Sequence, residues 1–168
     1  MTAAIQNTVA TTLNLGEWAV TADRDQVLTC VGLGSCVAVT MFDPQAGVGG
    51  MAHMVLPDST AGRGGPTATK FVDVAVPLLL STLKEQGALA RRLRVCLAGG
   101  SQMLKTALPA GAPNIGDRNA EAAREQLSKL GLTVSAEHLG GNRGRSVRLF
   151  IATGRVTVAM PGEPEVEL

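Results

Sequence analysis

The segment from residue 37 to residue 56 constrains the fold most, because it contains two apolar runs joined by a short turn. The first run spans residues 37–42 and the second spans residues 48–56. Between them lie Asp43, Pro44, Gln45, Ala46 and Gly47, and residues of these types favour a reverse turn. This arrangement predicts a β-hairpin.

The rest of the chain alternates between strand-like and helix-like patterns. Further strands are predicted at 17–20, 26–31, 94–98 and 132–136, and a second hairpin at 146–152 and 155–160. Apolar spacing predicts one helix over 71–83, with Pro77 inside it, and another over 119–130 that ends at Gly131. The expected class is α/β (α+β), with hairpin sheets covered by two main helices.

The length of the chain indicates one domain. At 168 residues with 45% apolar residues, the chain is large enough to bury a core. We expect a flexible lead-in at 1–12, a domain at 13–160 and a frayed tail at 161–168. Residues 58–69, rich in glycine and small polar residues, are expected to form a flexible loop.

The composition excludes several classes of function. A net charge of +1 with 17% charged residues gives no basic surface for nucleic acid. The sequence has neither a secretory signal pattern nor an apolar run long enough for a membrane span, so we expect a cytoplasmic protein. Three cysteines without a CxxC pair indicate free thiols and give no reason to expect a metal or another cofactor.

Cys36 and His53 are the candidate catalytic pair. Cys36 follows the glycine-rich stretch 32–35, which can leave backbone N–H groups outside a strand ladder. If Asp43 and Ala46 begin and end a type I turn, Cys36 and His53 face each other across the hairpin. Opposed residues have Cβ atoms about 4.5–5.5 Å apart, so an imidazole could take the thiol proton.

Other interpretations of these residues stay open at this point. A bulge at Gly47 would change the register, Cys36 could be a small buried hydrophobe, and His53 could be a core histidine. His138 is interpreted as a surface residue. Arg143 and Arg145 are either solvated turn charges or anchors for the carboxylates of a substrate or partner.

Six blocks of sequence then occur in a characteristic order. They are 32–39 (GLGSCVAV), 43–44 (DP), 50–59 (GMAHMVLPDS), 98–101 (AGGS), 114–119 (NIGDRN) and 140–147 (GGNRGRSV). Together they resemble the CheD family of chemoreceptor glutamine deamidases. The resemblance implies a fold similar to the catalytic domain of the cytotoxic necrotizing factor toxins.

The resemblance also implies roles for individual residues. Cys36 matches the nucleophile of the family and His53 its general base. The family can use a threonine six residues before the nucleophile to orient the histidine, and here that position is Cys30. Thr29 is one residue away and is expected on the opposite strand face. The third member is therefore Cys30, a backbone carbonyl, or Thr29 after a register shift.

The expected reaction is conversion of receptor glutamines to glutamate, with backbone N–H groups around Gly34 and Ser35 stabilising the oxyanion. The implied partners are methyl-accepting chemoreceptors, as substrates, and the CheC phosphatase. Hydrolysis of glutamyl methyl esters is a possible side activity of the same pair. The alternatives are a non-catalytic regulator of CheC and a thiol redox sensor using Cys30 and Cys36.

Overall fold

The structure is a computed structural model that describes residues 8–60, 68–103 and 111–168. Its helices are α1 (Val72–Glu85) and α2 (Ile115–Lys129), with short 3-10 turns at Ala68–Lys70 and Ala90–Arg92. Its strands are β1 (Val9–Thr12), β2 (Trp18–Thr21), β3 (Gln26–Leu33), β4 (Val37–Asp43), β5 (Val48–Met54), β6 (Arg94–Gly99), β7 (Ala136–Leu139), β8 (Arg145–Phe150), β9 (Arg155–Ala159) and β10 (Val166–Glu167).

The strands form two sheets. One sheet has the order β1-β3-β8-β9-β10 and the other has the order β2-β5-β4-β6-β7. The pairs β1/β3 and β6/β7 are parallel, and the remaining pairs are antiparallel. We call the first the outer sheet and the second the central sheet, because among the described residues both helices share an apolar core with the second sheet.

The central sheet lies between two apolar cores. One face packs against the outer sheet, with Met51 of β5 and Leu28 of β3 in the same core. The other face packs against α1 and α2, with Val39 of β4, Leu79 of α1 and Leu127 of α2 in the same core. The predicted α+β class with two main helices outside the sheets is confirmed.

β4 shows how this layering acts on the sequence. All seven of its residues are buried, because alternate side chains enter the inter-sheet core and the helix-side core. A strand buried on both faces has no need of polar alternation. Burial of β4 on both faces therefore explains why residues 37–42 are almost all apolar.

The predicted elements largely match, but α2 and β7 begin at other residues than expected. α2 begins at Ile115, four residues before the expected start at Asn119, because Asn114 and Asp117 form a capping box there. β7 begins only at Ala136, so the strand predicted at 132–136 lies further along the chain. Pro77 lies within α1 without ending it, and the buried apolar face of α1 offsets the lost hydrogen bond.

The two chain ends contain edge strands of the outer sheet. Residues 9–12, within the expected lead-in, pair with β3, and Val166–Glu167 of the expected tail pairs with β9. Most of the glycine-rich loop predicted at 58–69 lies outside the described residues. Among the described residues, no helix is long and apolar enough to span a membrane.

Asp43 holds the turn of the central hairpin. One carboxylate oxygen accepts the N–H groups of Gln45 (2.9 Å) and Ala46 (3.1 Å), and the other accepts the N–H of Leu89 (2.8 Å). The Arg92 guanidinium lies 2.7 Å from the same carboxylate. Burial alone would raise the pKa of Asp43, but these hydrogen bonds outweigh it and hold the pKa below its usual range.

Replacing Asp43 with Asn is expected to lower the free energy of unfolding by about 2–4 kcal/mol, because the substitution leaves a buried guanidinium contact and N–H groups poorly paired. Urea unfolding followed by circular dichroism measures this loss. The matched control is Glu137→Gln, which removes an exposed ion pair with Arg124. The control is expected to lose less than about 1 kcal/mol.

The difference between wild type and Asp43→Asn is expected to depend on pH with a defined sign. A depressed folded-state pKa stabilises the protein fully above the ordinary carboxyl pKa, and this stabilisation is lost as the pH falls. The difference should therefore stay constant from neutral pH down to about pH 5 and narrow below about pH 4. A difference that widens on acidification would contradict this account of Asp43.

Candidate functional site

The central hairpin brings Cys36 and His53 to the same face, but not into direct opposition. Asp43 pairs with Val48, so the loop holds four residues rather than two, and His53 lies opposite Ala38. The reason is the turn, in which the N–H of Gly47 bonds to the Asp43 carbonyl (2.9 Å) with a positive φ at Gly47. The predicted direct pairing of Cys36 with His53 is therefore wrong.

The shift of the register is two residues, and this preserves the face. A one-residue shift would have sent one of the two side chains to the helix side. Cys36 packs against the inter-sheet core, and His53 follows Met51 on that same face. Diagonal neighbours in a hairpin are about 7–8 Å apart, within reach of an imidazole ring.

The loop before β4 is fixed through three successive carbonyl groups. The Gly34 carbonyl accepts the Ser101 N–H (2.8 Å), the Ser35 carbonyl accepts the Asn119 side-chain amide (2.9 Å), and the Cys36 carbonyl accepts the Gly100 N–H (2.8 Å). In a trans peptide, the carbonyl and the N–H point in opposite directions. The tethered carbonyls of Gly34 and Ser35 therefore fix the directions of the N–H groups of Ser35 and Cys36.

This close approach requires glycine after β6. A Cβ on Gly99 would lie 2.1 Å from the Cys36 carbonyl oxygen, and the φ of Gly99 is +120°. Any other residue at this position would push the Cys36 loop away. The AGGS block at 98–101 therefore shapes the backbone around the candidate nucleophile.

His53 is held by a backbone carbonyl. Its Nδ1 lies 3.0 Å from the carbonyl oxygen of Leu13. A carbonyl oxygen can only accept, so Nδ1 carries the proton, and Nε2 of the neutral ring is an acceptor. Nε2 is buried and has no hydrogen-bond partner among the described residues. The ring therefore holds an unused acceptor on the face that Cys36 shares.

Cys36 is half-buried, and burial raises the pKa of its thiol, while its own backbone N–H partly offsets this rise. A raised pKa means that the isolated thiol is protonated at neutral pH. A nearby base is therefore needed before the sulfur can act as a nucleophile.

In the described part of the chain, neither Cys30 nor Thr29 forms a hydrogen bond with His53. The Cys30 thiol is fully buried and donates to the Met51 sulfur (3.3 Å). Burial, together with the neighbouring Cys36 thiol, raises the pKa of Cys30 to about 12. Thr29 precedes the inward-facing Cys30 on β3 and lies on the opposite strand face, as expected. The Leu13 carbonyl occupies the orienting position instead.

The two arginines expected to dock a substrate or partner have different surroundings. Arg143 is exposed and pairs with Glu163 and the Pro161 carbonyl. Arg145 is only 3% exposed, and its guanidinium bonds to His138 and to the Gly140 carbonyl. Arg145 thus lies in the interior, which is not the open position expected of a docking residue.

His138 differs from its interpretation as a surface residue. It is half-buried on β7, and its Nδ1 lies 2.7 Å from Nη1 of Arg145. Burial and the neighbouring guanidinium lower the pKa of His138. The turn at 140–144 beside this pair adjoins the Cys36 loop, because Arg145 pairs with Leu33 of β3 and the N–H of Gly140 bonds to the Gly99 carbonyl (3.0 Å).

Two contacts of the site could not be predicted from the sequence. The Leu13 carbonyl belongs to the backbone, so no residue type marks it. Asn119 lies in a block that the sequence singled out, yet its contact with Ser35 crosses 84 positions of the chain. The Leu13 carbonyl and Asn119 come next to His53 and to the loop that contains Cys36 only in the folded protein.

The solved structures that are similar to this chain include two proteins of low sequence identity. A hypothetical protein YfiH from Bacillus licheniformis is 16% identical with a TM-score of 0.47, and the match covers 73% of this chain and 49% of that one. YlmD from Geobacillus stearothermophilus is 14% identical with a TM-score of 0.44, covering 80% and 59%. This chain thus spans about half to three fifths of those proteins.

Comparison with sequences is more informative. The family described as CheD chemotactic sensory transduction matches residues 55–160. A probable chemoreceptor glutamine deamidase CheD from Symbiobacterium thermophilum is 43% identical over 93% of this chain and 95% of its own length. The chemoreceptor glutamine deamidase CheD of Thermotoga maritima is 44% identical over 91% and 93%. This chain belongs to the CheD family.

Proposed function

We propose that this protein deamidates glutamine side chains of chemoreceptors, with Cys36 as the nucleophile and His53 as the general base. The observation that carries the proposal is the hydrogen bond from His53 Nδ1 to the Leu13 carbonyl. It leaves Nε2 as an acceptor on the face of the hairpin that Cys36 shares. The names of the relatives give the reaction and the class of substrate.

In the first step, His53 Nε2 accepts the thiol proton and the Cys36 sulfur attacks the carboxamide carbon of the substrate glutamine. The carbonyl π electrons move to oxygen, which becomes an oxyanion. The backbone N–H groups of Ser35 and Cys36 lie opposite the tethered carbonyls of Gly34 and Ser35 and are the donors that can stabilise the oxyanion.

In the second step, the oxyanion collapses and the carbon–nitrogen bond breaks. The His53 imidazolium gives its proton to the departing nitrogen, so ammonia leaves and a thioester on Cys36 remains. A water molecule then loses a proton to His53 and attacks the thioester. Cleavage of the carbon–sulfur bond releases glutamate and restores the thiol.

The same pair could also cleave a glutamyl methyl ester. The attack, the oxyanion and the thioester are identical, and only the leaving group changes from ammonia to methanol. Either reaction ends in a carboxylate, which adds negative charge to a receptor helix where an amide or ester stood. Methanol release from a methylated receptor fragment tests this side activity.

Cys36→Ala is expected to abolish ammonia release from a purified chemoreceptor cytoplasmic fragment, and His53→Ala is expected to lower it by at least about a hundredfold. Mass spectrometry of the receptor should show glutamine-to-glutamate conversion with wild-type protein only. The matched control is Cys96→Ala, which removes a buried thiol from the same inter-sheet core. Equal conversion by wild type and Cys36→Ala would refute the proposed nucleophile.

His53→Gln is expected to slow iodoacetamide alkylation of Cys36 by about tenfold at pH 7, because without a base the thiol follows its raised pKa. The rate of Cys36 alkylation is expected to rise with pH in both proteins. The difference in rate between wild type and His53→Gln should therefore disappear once the pH exceeds the pKa of the thiol in both proteins. Peptide mass spectrometry reports Cys36 separately from Cys30 and Cys96. A gap that is constant across all pH values would argue against proton transfer to His53.

Cys30→Ala is expected to keep kcat within about threefold of wild type, because the Leu13 carbonyl and not this thiol orients His53. The assay should be run well below the unfolding temperature, since removing the buried sulfur leaves a small cavity. A loss of a hundredfold or more in a folded Cys30→Ala protein would make Cys30 the third member after all.

A further inference from the structure

Asn119 joins the two segments that carry the candidate nucleophile and base. It lies in the first half of α2 with 0% of its surface exposed. Its Nδ2 donates to the Ser35 carbonyl (2.9 Å) and to the Val55 carbonyl (2.9 Å). Ser35 directly precedes Cys36, and Val55 follows His53 by two residues.

The contact with Ser35 fixes a peptide plane. The Ser35 carbonyl and the Cys36 N–H lie on opposite sides of one trans peptide. Holding that carbonyl on Asn119 therefore fixes the direction in which the Cys36 N–H points. Burial raises the pKa of the Cys36 thiol, and this backbone N–H offsets part of the rise.

Asn119 contributes to the fold through its two donated hydrogen bonds, which pair the Ser35 and Val55 carbonyls, and not through its amide oxygen. Its Oδ1 is buried and has no hydrogen-bond partner in the described part of the chain. An unpaired buried acceptor destabilises a fold, whereas an apolar residue of similar size carries no such penalty. What asparagine supplies at this position is the pair of N–H donors.

The start of α2 lies directly against the loop after β6. Asn114 and Asp117 form the capping box that begins the helix. A Cβ on Gly116 would lie 2.5 Å from the Gly100 carbonyl oxygen, so the helix and the loop after β6 touch through their backbones. The N–H of Gly100 in turn holds the Cys36 carbonyl. α2 thus approaches the segments around Cys36 through Gly116 and Asn119.

We propose that Asn119 is a positioning residue, which holds the Ser35–Cys36 peptide so that the Cys36 N–H faces the developing oxyanion. The inference rests on the proposed function. It predicts that losing the amide impairs the step in which an oxyanion forms more than it impairs binding of the receptor or simple displacement at the sulfur.

The test compares Asn119→Leu, which keeps the size but removes the donors, with Asn114→Ala, which removes a cap of the same helix. Asn119→Leu is expected to lower kcat for ammonia release from a chemoreceptor cytoplasmic fragment about 30–100-fold, with KM and the rate of Cys36 alkylation by iodoacetamide within about threefold. Alkylation forms no oxyanion. Asn114→Ala should keep kcat within about twofold, although it weakens the helix.

Three results would overturn the proposal: an unchanged kcat in a folded Asn119→Leu protein, an equal fall in kcat and alkylation, or an equal fall in Asn114→Ala. Asn119→Ala serves if Asn119→Leu does not fold. If the wild type releases no ammonia, the proposed function fails. The positioning role of Asn119 is then tested separately by amide hydrogen exchange of the peptide that covers residues 33–37. Faster exchange at Cys36 in the variant supports the positioning role, and unchanged exchange overturns it.

Discussion

Burial of the central hairpin on both faces is the constraint on which the rest of the structure depends. Because β4 and β5 lie between the outer sheet and the helices, alternate residues must enter two different cores. Cys36 and His53 are on the inter-sheet side of this alternation. A slip of one residue would exchange the two cores, so the layers fix which face carries the candidate pair.

The same hairpin separates what the sequence could predict from what it could not. The apolar runs predict both strands, and their period preserves the face that Cys36 and His53 share. The pairing depends on how many residues the turn contains. The turn that includes Gly47, with its positive φ, holds four residues between the paired positions, whereas the expected type I turn holds two. The predicted face is therefore right, while the predicted direct pairing is wrong by two residues.

Backbone groups account for most of the remaining difference. The Leu13 carbonyl that orients His53 belongs to a residue whose side chain is only one more buried leucine. Nothing in its residue type could mark it, whereas Cys30 and Thr29 attract attention because their side chains can form hydrogen bonds. Likewise, the capping box at Asn114 could be recognised as a local pattern, but the contact of Asn119 with Ser35 exists only after α2 has packed.

The use of a carbonyl instead of a carboxylate beside His53 has a chemical consequence. A carbonyl fixes the tautomer and the orientation of the ring, yet it carries no net charge with which to stabilise an imidazolium. Burial also raises the pKa of Cys36, so the thiol favours its neutral form in the resting protein. In the proposed mechanism, proton transfer is then favoured mainly when the oxyanion forms against the backbone N–H groups. The orientation of those N–H groups becomes decisive, and this is why the tethered carbonyls of Gly34, Ser35 and Cys36 matter as much as the reactive pair.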